Sequence, residues 1–215
     1  MFGGSERRWV LAAAAIALPA TLLLPATLLH AALTPGQDVS GPTSLTGQLL
    51  IASPELRQPV FDHAVILLAQ HSREGALGVV INRPLDRRPI AGLLAALGED
   101  AGGVADSVPV FVGGPVSPEI AFVLHSTDYK RPDTLDIDGR VALTAAPDVL
   151  RDIGHGNGPR KSLVVLGYAG WAPSQLEDEL AHGVWTTLPE DPALVFDDER
   201  AQVWDDAVAR RRPGR

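Results

Sequence analysis

From Leu45 onward the chain is a succession of short, uninterrupted apolar runs broken by glycine, proline or polar pairs. Runs of this length read as buried strands. Leu49-Leu50-Ile51, Ala64 to Leu68, Leu77 to Ile81, Val110-Phe111-Val112, Ala121 to Leu124, Leu163 to Leu166 and Val184 to Leu188 are the strand candidates. Ser72-Arg73-Glu74-Gly75 between the second and third predicts a hairpin. Helices are expected between these runs. One starts at Pro89, carries Leu93, Leu94 and Leu97, and closes at Gly98. A second runs from Ala145 to Ile153, with Thr144 as cap and Gly154 past its end. A third covers Ser174 to His182, and a fourth covers Asp197 to Arg211 with Val203, Trp204 and Val208. Hairpins mixed with helices, without strict strand–helix alternation, favour an α+β domain over a doubly wound sheet.

The N-terminal region obeys a different rule. Trp9 to Leu33 contains no formally charged residue, a run of 25 where about 20 cross a bilayer. Arg7 and Arg8 precede it, which keeps the N-terminus cytoplasmic and sends the domain outward. It reads as an anchor helix kinked by Pro19 and Pro25, as a cleaved signal with Leu29-His30-Ala31 a poor cleavage site, or as a segment not made if translation starts later. Arg7-Arg8-Trp9-Val10-Leu11 is also a weak match to a twin-arginine export signal. The expected organisation is a hydrophobic segment over 1–33, a Pro/Gly linker over 34–44, one domain over 45–210 and a tail over 211–215. Membrane contact through 9–33 is expected if the segment is made and retained, and a cytoplasmic protein if it is not.

Net charge is −8, and Glu6, Arg7 and Arg8 together contribute +1, so the remainder carries −9. Such a surface repels phosphate backbones and opposes direct nucleic-acid binding. The basic run Arg210, Arg211, Arg212 and Arg215 reads as a solvated tail. Cysteine is absent, which removes disulfides, thiolate nucleophiles and Cys-based zinc sites.

Several blocks, in order, resemble the AlgH/YqgE family. They are Leu45-Thr46-Gly47-Gln48, His71 to Gly78 leading into Val80-Ile81-Asn82-Arg83-Pro84, Phe111-Val112-Gly113-Gly114-Pro115-Val116, Leu124-His125-Ser126, Gly167-Tyr168-Ala169-Gly170-Trp171 with Gln175-Leu176-Glu177, and Trp204. The resemblance implies a single α+β domain with a bent, barrel-like mixed sheet flanked by helices, here preceded by a hydrophobic N-terminal helix. Members have been named transcriptional regulators without a settled biochemical activity. The family usually has Met where Ser53 stands, has Gly where Ser174 stands, and begins near Leu45 as a cytosolic protein.

Six residues are candidates for ligand contact: Asn82, Arg83, Gly113, Gly114, Trp171 and Gln175. Asn82-Arg83-Pro84 ends a strand, where a guanidinium can pair with a carboxylate or phosphate or tie the scaffold together. Gly113-Gly114-Pro115 either aims amides at an anion or makes a turn. Gly167, Gly170 and Trp171 either admit a ligand or let Trp171 pack on the sheet. Glu177 resembles a general acid, but Ser174-Gln175-Leu176-Glu177 also spells a capping box. Gly154 to Ser162 lacks the glycine before Lys161 and joins helix to strand, the reverse of a phosphate-binding loop. His71 and His125 read as structural histidines. No metal or cofactor is expected, because the six histidines lack zinc spacing, and no HExxH or GxSxG occurs. The leading expectation is a non-catalytic binding or regulatory domain with a protein or small-molecule partner. The alternative is an enzyme with a pocket near Asn82, Arg83, Gln175 and Glu177.

Overall fold

The computed structural model describes residues 44–145 and 147–211. The charge-free run, nearly all of the linker and residues 212–215 lie outside the described residues, along with the anchor, signal and export readings. Among the described residues no helix is long and apolar enough to cross a membrane.

The strands are β1 (Gln48–Ala52), β2 (Val65–Ser72), β3 (Gly75–Val80), β4 (Pro84–Pro89), β5 (Ser107–Val112), β6 (Val116–Ser126), β7 (Leu135–Asp136), β8 (Val141–Ala145), β9 (Ser162–Trp171) and β10 (Trp185–Pro189). The helices are α1 (Ile90–Ala96), α2 (Asp148–Gly154), α3 (Gln175–Ala181), α4 (Pro192–Val195) and α5 (Val203–Arg211). The strands form one curled half-barrel sheet in the order β10-β1-β2-β3-β9-β6-β8-β7, with β4 on β5 and β5 on β9. Pairing is antiparallel except between β5 and β9, where Val110, Phe111 and Val112 run parallel to Val164, Val165 and Leu166. The fold is α+β, as the mixed pattern predicts.

Strand β9 organises the sheet. One edge takes β6; the other takes β5 along its first half and β3 near its end. Two apolar clusters result. In one, α1 and α2 bury Ile90, Leu94, Val149 and Leu150 against Val110, Val123 and Val164. In the other, Leu176 of α3 packs with Leu50, Ile66, Leu68, Val80, Trp171 and Trp185. The hairpin at Ser72-Arg73-Glu74-Gly75 forms as predicted, with Ser72 opposite Gly75.

Three local expectations are corrected. Thr144 does not cap a helix: it lies buried in β8, bonded to His125 and Thr134, and α2 starts at Asp148 behind Pro147. The capping box does not form. Ser174 has φ 65° and makes no side-chain cap bond, whereas a capping side chain needs extended backbone. The last helix begins at Val203 rather than Asp197. Before it, the Asp197 carboxylate takes the Glu199 amide, and the Arg200 guanidinium turns inward to the Val195 and Ile81 carbonyls, so the segment bends. Where the sequence predicts no strand, Pro84–Pro89 is an exposed edge strand, with Leu85 and three charged residues between two prolines.

Candidate functional site

The sequence candidates fall into three places. The first is around the N-terminus of α3. Strand β9 ends at Trp171, opposite Ala76, and the chain then turns into α3 across the sheet. The Trp171 ring is 7% exposed and sits edge-on to Trp185 at 6.2 Å. Both indole N–H groups donate to the same atom, Oε2 of Glu179, at 2.9 and 2.7 Å. Oε1 of Glu179 accepts from the Gln175 side-chain NH2 at 2.9 Å, and the Gln175 side-chain Oε1 accepts the Ala172 backbone amide at 3.1 Å. Helical spacing explains the pair, because Gln175 and Glu179 are i and i+4. The Glu177 carboxylate, free of the capping box, meets His71 Nε2 at 3.0 Å. His71 Nδ1 accepts the Leu45 amide at 3.0 Å, so the proton of a neutral ring resides on Nε2 and is donated to Glu177.

The second place is beyond the end of β3. The Asn82 carbonyl oxygen accepts the Val65 amide at 2.9 Å, and its NH2 donates to the His63 carbonyl at 2.8 Å. This clamp spans His63, whose φ of 52° is left-handed. The Arg83 guanidinium donates to the Asp62 carbonyl. His63 pairs with Asp62 at 2.8 Å and stacks edge-on over Trp204 at 4.3 Å. Among the described residues, no hydrogen bond or ion pair joins this group to Gln175 or Glu177. Trp171 lies opposite Ala76, six positions before Asn82, or about 20 Å of extended chain. The structure thus divides the four residues of the expected pocket into two groups.

The third place is the fork where β3 and β5 share one edge of β9. The Gly113 amide donates to the Leu166 carbonyl at 2.8 Å, and its carbonyl accepts the Val80 amide at 2.8 Å. A side chain on Gly113 would collide with the Gly167 carbonyl, and one on Gly114 with the backbone of Tyr168. Gly167 itself has φ 71°. These glycines let three strands meet closely, and the Gly113 amide is already used in that meeting.

Two polar centres escaped sequence reading. Glu179 is one; its i+4 spacing from Gln175 is visible in the sequence, but the convergence of two tryptophans is not. His125, expected to be a structural histidine, is one: it is fully buried, bonding Thr144 at 2.8 Å and the Ser126 carbonyl at 2.9 Å. Burial holds its pKa below the usual value, which the Ser126 bond and the Asp128 charge only partly oppose. The second centre that escaped is Glu190 with Asp138 and Arg140.

Ser174 yields a direct prediction. A left-handed L-residue costs about 1–2 kcal/mol, and glycine escapes that cost. Ser174→Gly is expected to raise stability by about 0.5–1 kcal/mol, read as a higher denaturant midpoint at unchanged slope. A midpoint equal to or below wild type refutes the assignment.

A sequence model described as AlgH-like matches residues 49–213. A UPF0301 protein of Jannaschia sp. (strain CCS1) is 45% identical over 166 residues, covering 76% of this chain and 86% of the relative. A UPF0301 protein of Sphingopyxis alaskensis is 41% identical over 170 residues, covering 79% and 90%. The solution structure of the AlgH protein from Pseudomonas aeruginosa superimposes with a TM-score of 0.66 at 36% identity, covering 82% of this chain and 98% of that one. The chain therefore belongs to the AlgH-like family, that of the UPF0301 proteins.

Proposed function

We propose that the domain is a non-catalytic binding or regulatory module acting through a protein or small-molecule partner. One observation supports this reading above the others. Most of the polar groups that chemistry at the candidate sites would borrow are already engaged inside the fold. Both ring nitrogens of His71, both amide atoms of Asn82 and of Gln175, and both oxygens of Glu179 hold strands, turns or indoles in place. A general acid, base or nucleophile has to exchange its proton or bond with a substrate, and groups engaged in this way serve geometry first. The remainder charge of −9 argues that regulation, if any, does not run through contact with DNA phosphates. Residues 9–33, if kept in the mature protein, would hold the module at a membrane.

Wild type, Arg83→Ala and Glu177→Gln are to be compared by calorimetric titration against a metabolite library, by a turnover screen and by melting. The expected result is no turnover in any of the three and at least one binder. Each variant should lose no more than about 1 kcal/mol of stability, because both side chains bond near the surface. Turnover by wild type that Glu177→Gln loses at unchanged melting temperature would establish the enzyme reading. A preferred DNA sequence bound at physiological salt would overturn the charge argument.

A further inference from the structure

The end strands of the sheet path, β10 and β7, are not paired with each other. Across that gap the β7–β8 turn reaches the residue that follows β10. Arg140 of the turn holds Asp138 Oδ2 through Nη2 and Nε at 2.8 and 3.2 Å, and its Nη2 lies 3.0 Å from Glu190 Oε2. Asp138 Oδ1 accepts the amides of Arg140 and Val141 at 3.0 and 3.2 Å. The Glu190 amide donates to the Gly47 carbonyl at 3.2 Å. A side chain on Gly47, just before β1, would stand 3.1 Å from Asp138 Cβ. Three chain segments meet around two carboxyl groups.

Glu190 is 2% exposed; Arg140 Nη2 stands 3.0 Å from Oε2 as an ion pair without the alignment of a hydrogen bond, so neither carboxylate oxygen has a hydrogen-bond partner. An ionised carboxylate buried in that way is costly. A protonated one becomes a donor, and the neighbouring Asp138 carboxylate is an acceptor already fixed by Arg140. We propose that Asp138, Glu190 and Arg140 form a proton-operated clasp across the seam of the half-barrel, closed while Glu190 shares a proton with Asp138 and loosened when that proton leaves.

The electrostatics agree with the geometry. Burial, then the hydrogen bond and charge of Asp138, push Glu190 up to about 8; Arg140 opposes this and Asp191 adds to it. Burial also raises Asp138, but hydrogen bonds from Glu190 and from the Arg140 amide and guanidinium outweigh it and hold Asp138 below the usual carboxylate range. Asp191, next to Glu190, is itself paired with Arg210 of α5. The direction follows from linkage. A carboxyl whose folded pKa exceeds its ordinary 4.5 contributes stability that is full below that value and lost as pH rises to about 8.

The test is amide hydrogen exchange on the full chain, corrected for intrinsic base catalysis, at the Glu190 and Val141 amides between about pH 6.5 and 9. In wild type, protection at both should fall about tenfold or more across that interval. In Glu190→Gln, which keeps a donor at every pH, it should change less than about twofold. Equal losses in both proteins, or no loss in wild type, overturn the clasp. Should Glu190→Gln fail to fold, carbon-13 titration of the wild-type Glu190 carboxyl decides: a midpoint near 8 sustains the proposal, and one near the ordinary 4.5 overturns it.

Discussion

Gly114→Ala is expected to destabilise the domain by about 3 kcal/mol or more, at or beyond the upper end of what overpacking usually costs. At about 2–4 °C per kcal/mol for a domain of this size, melting should fall by roughly 6–12 °C. The added methyl would overlap the Tyr168 carbonyl group and stand 2.5 Å from the Ala169 amide nitrogen. These are backbone atoms of β9, which cannot swing aside as a flexible side chain would. Nor can the strand slide as a whole. Gly113 is bonded on one side to Leu166 and on the other to Val80, and a side chain on Gly167 would stand 2.7 Å from the Gly114 carbonyl and 2.8 Å from that of Val116. Moving any one strand breaks a ladder with another. Gly92→Ala is the control. It lies in α1 with nothing within 4 Å of the new methyl, and should be neutral or stabilise by up to about 1 kcal/mol. Melting of Gly114→Ala indistinguishable from wild type would show that the fork is looser than described.

That comparison bears on what the sequence could disclose. Local chemistry was legible: the Ser72–Gly75 hairpin, the buried runs and the helix after Pro89 each depend on a few neighbouring residues. The geometric role of Gly113 and Gly114 was visible as one of two readings, since glycine pairs have few uses. Features set by distant partners were harder to see. Pro84–Pro89 shows no strand pattern, since four of its six residues are proline or arginine, yet β5 supplies the ladder that makes it a strand. Val141–Ala145 carries only two large apolar residues, and its last residue reads as the start of a helix; it becomes a strand because β6 lies beside it. Ser174 and Glu177 spell a cap, but His71, 106 residues away, draws the carboxylate off. The candidate site was legible as residue types and not as a constellation. Asn82 and Gln175, singled out as candidate ligand contacts, stand at element ends, and their partners, the His63 carbonyl and Glu179, come from the fold. Glu190 is the extreme case. It follows a strand like many surface glutamates, and only closure of the sheet against the 136–141 turn buries it.

Glu179→Ala should be the most damaging change among the polar positions of α3, costing about 2–4 kcal/mol. Three donors lose their acceptor at once, two of them indoles that are 7% and 3% exposed. A buried unsatisfied donor costs about 1–3 kcal/mol, and the sum is reduced because Glu179 is only partly buried and water can replace some of the lost bonds. Glu179→Gln should cost less, since one carbonyl oxygen survives, but its NH2 group would face other N–H donors. The readout is hydrogen exchange of the indole protons. Those of Trp171 and Trp185 should lose protection in Glu179→Ala. That of Trp204, which donates to the Ala52 carbonyl at 3.0 Å, should keep it and serves as an internal reference. Equal loss at all three tryptophans would mean global unfolding, which the denaturant midpoint would register. Retained protection at Trp171 and Trp185 would mean that packing alone holds the rings, and that the carboxylate is available to a ligand after all.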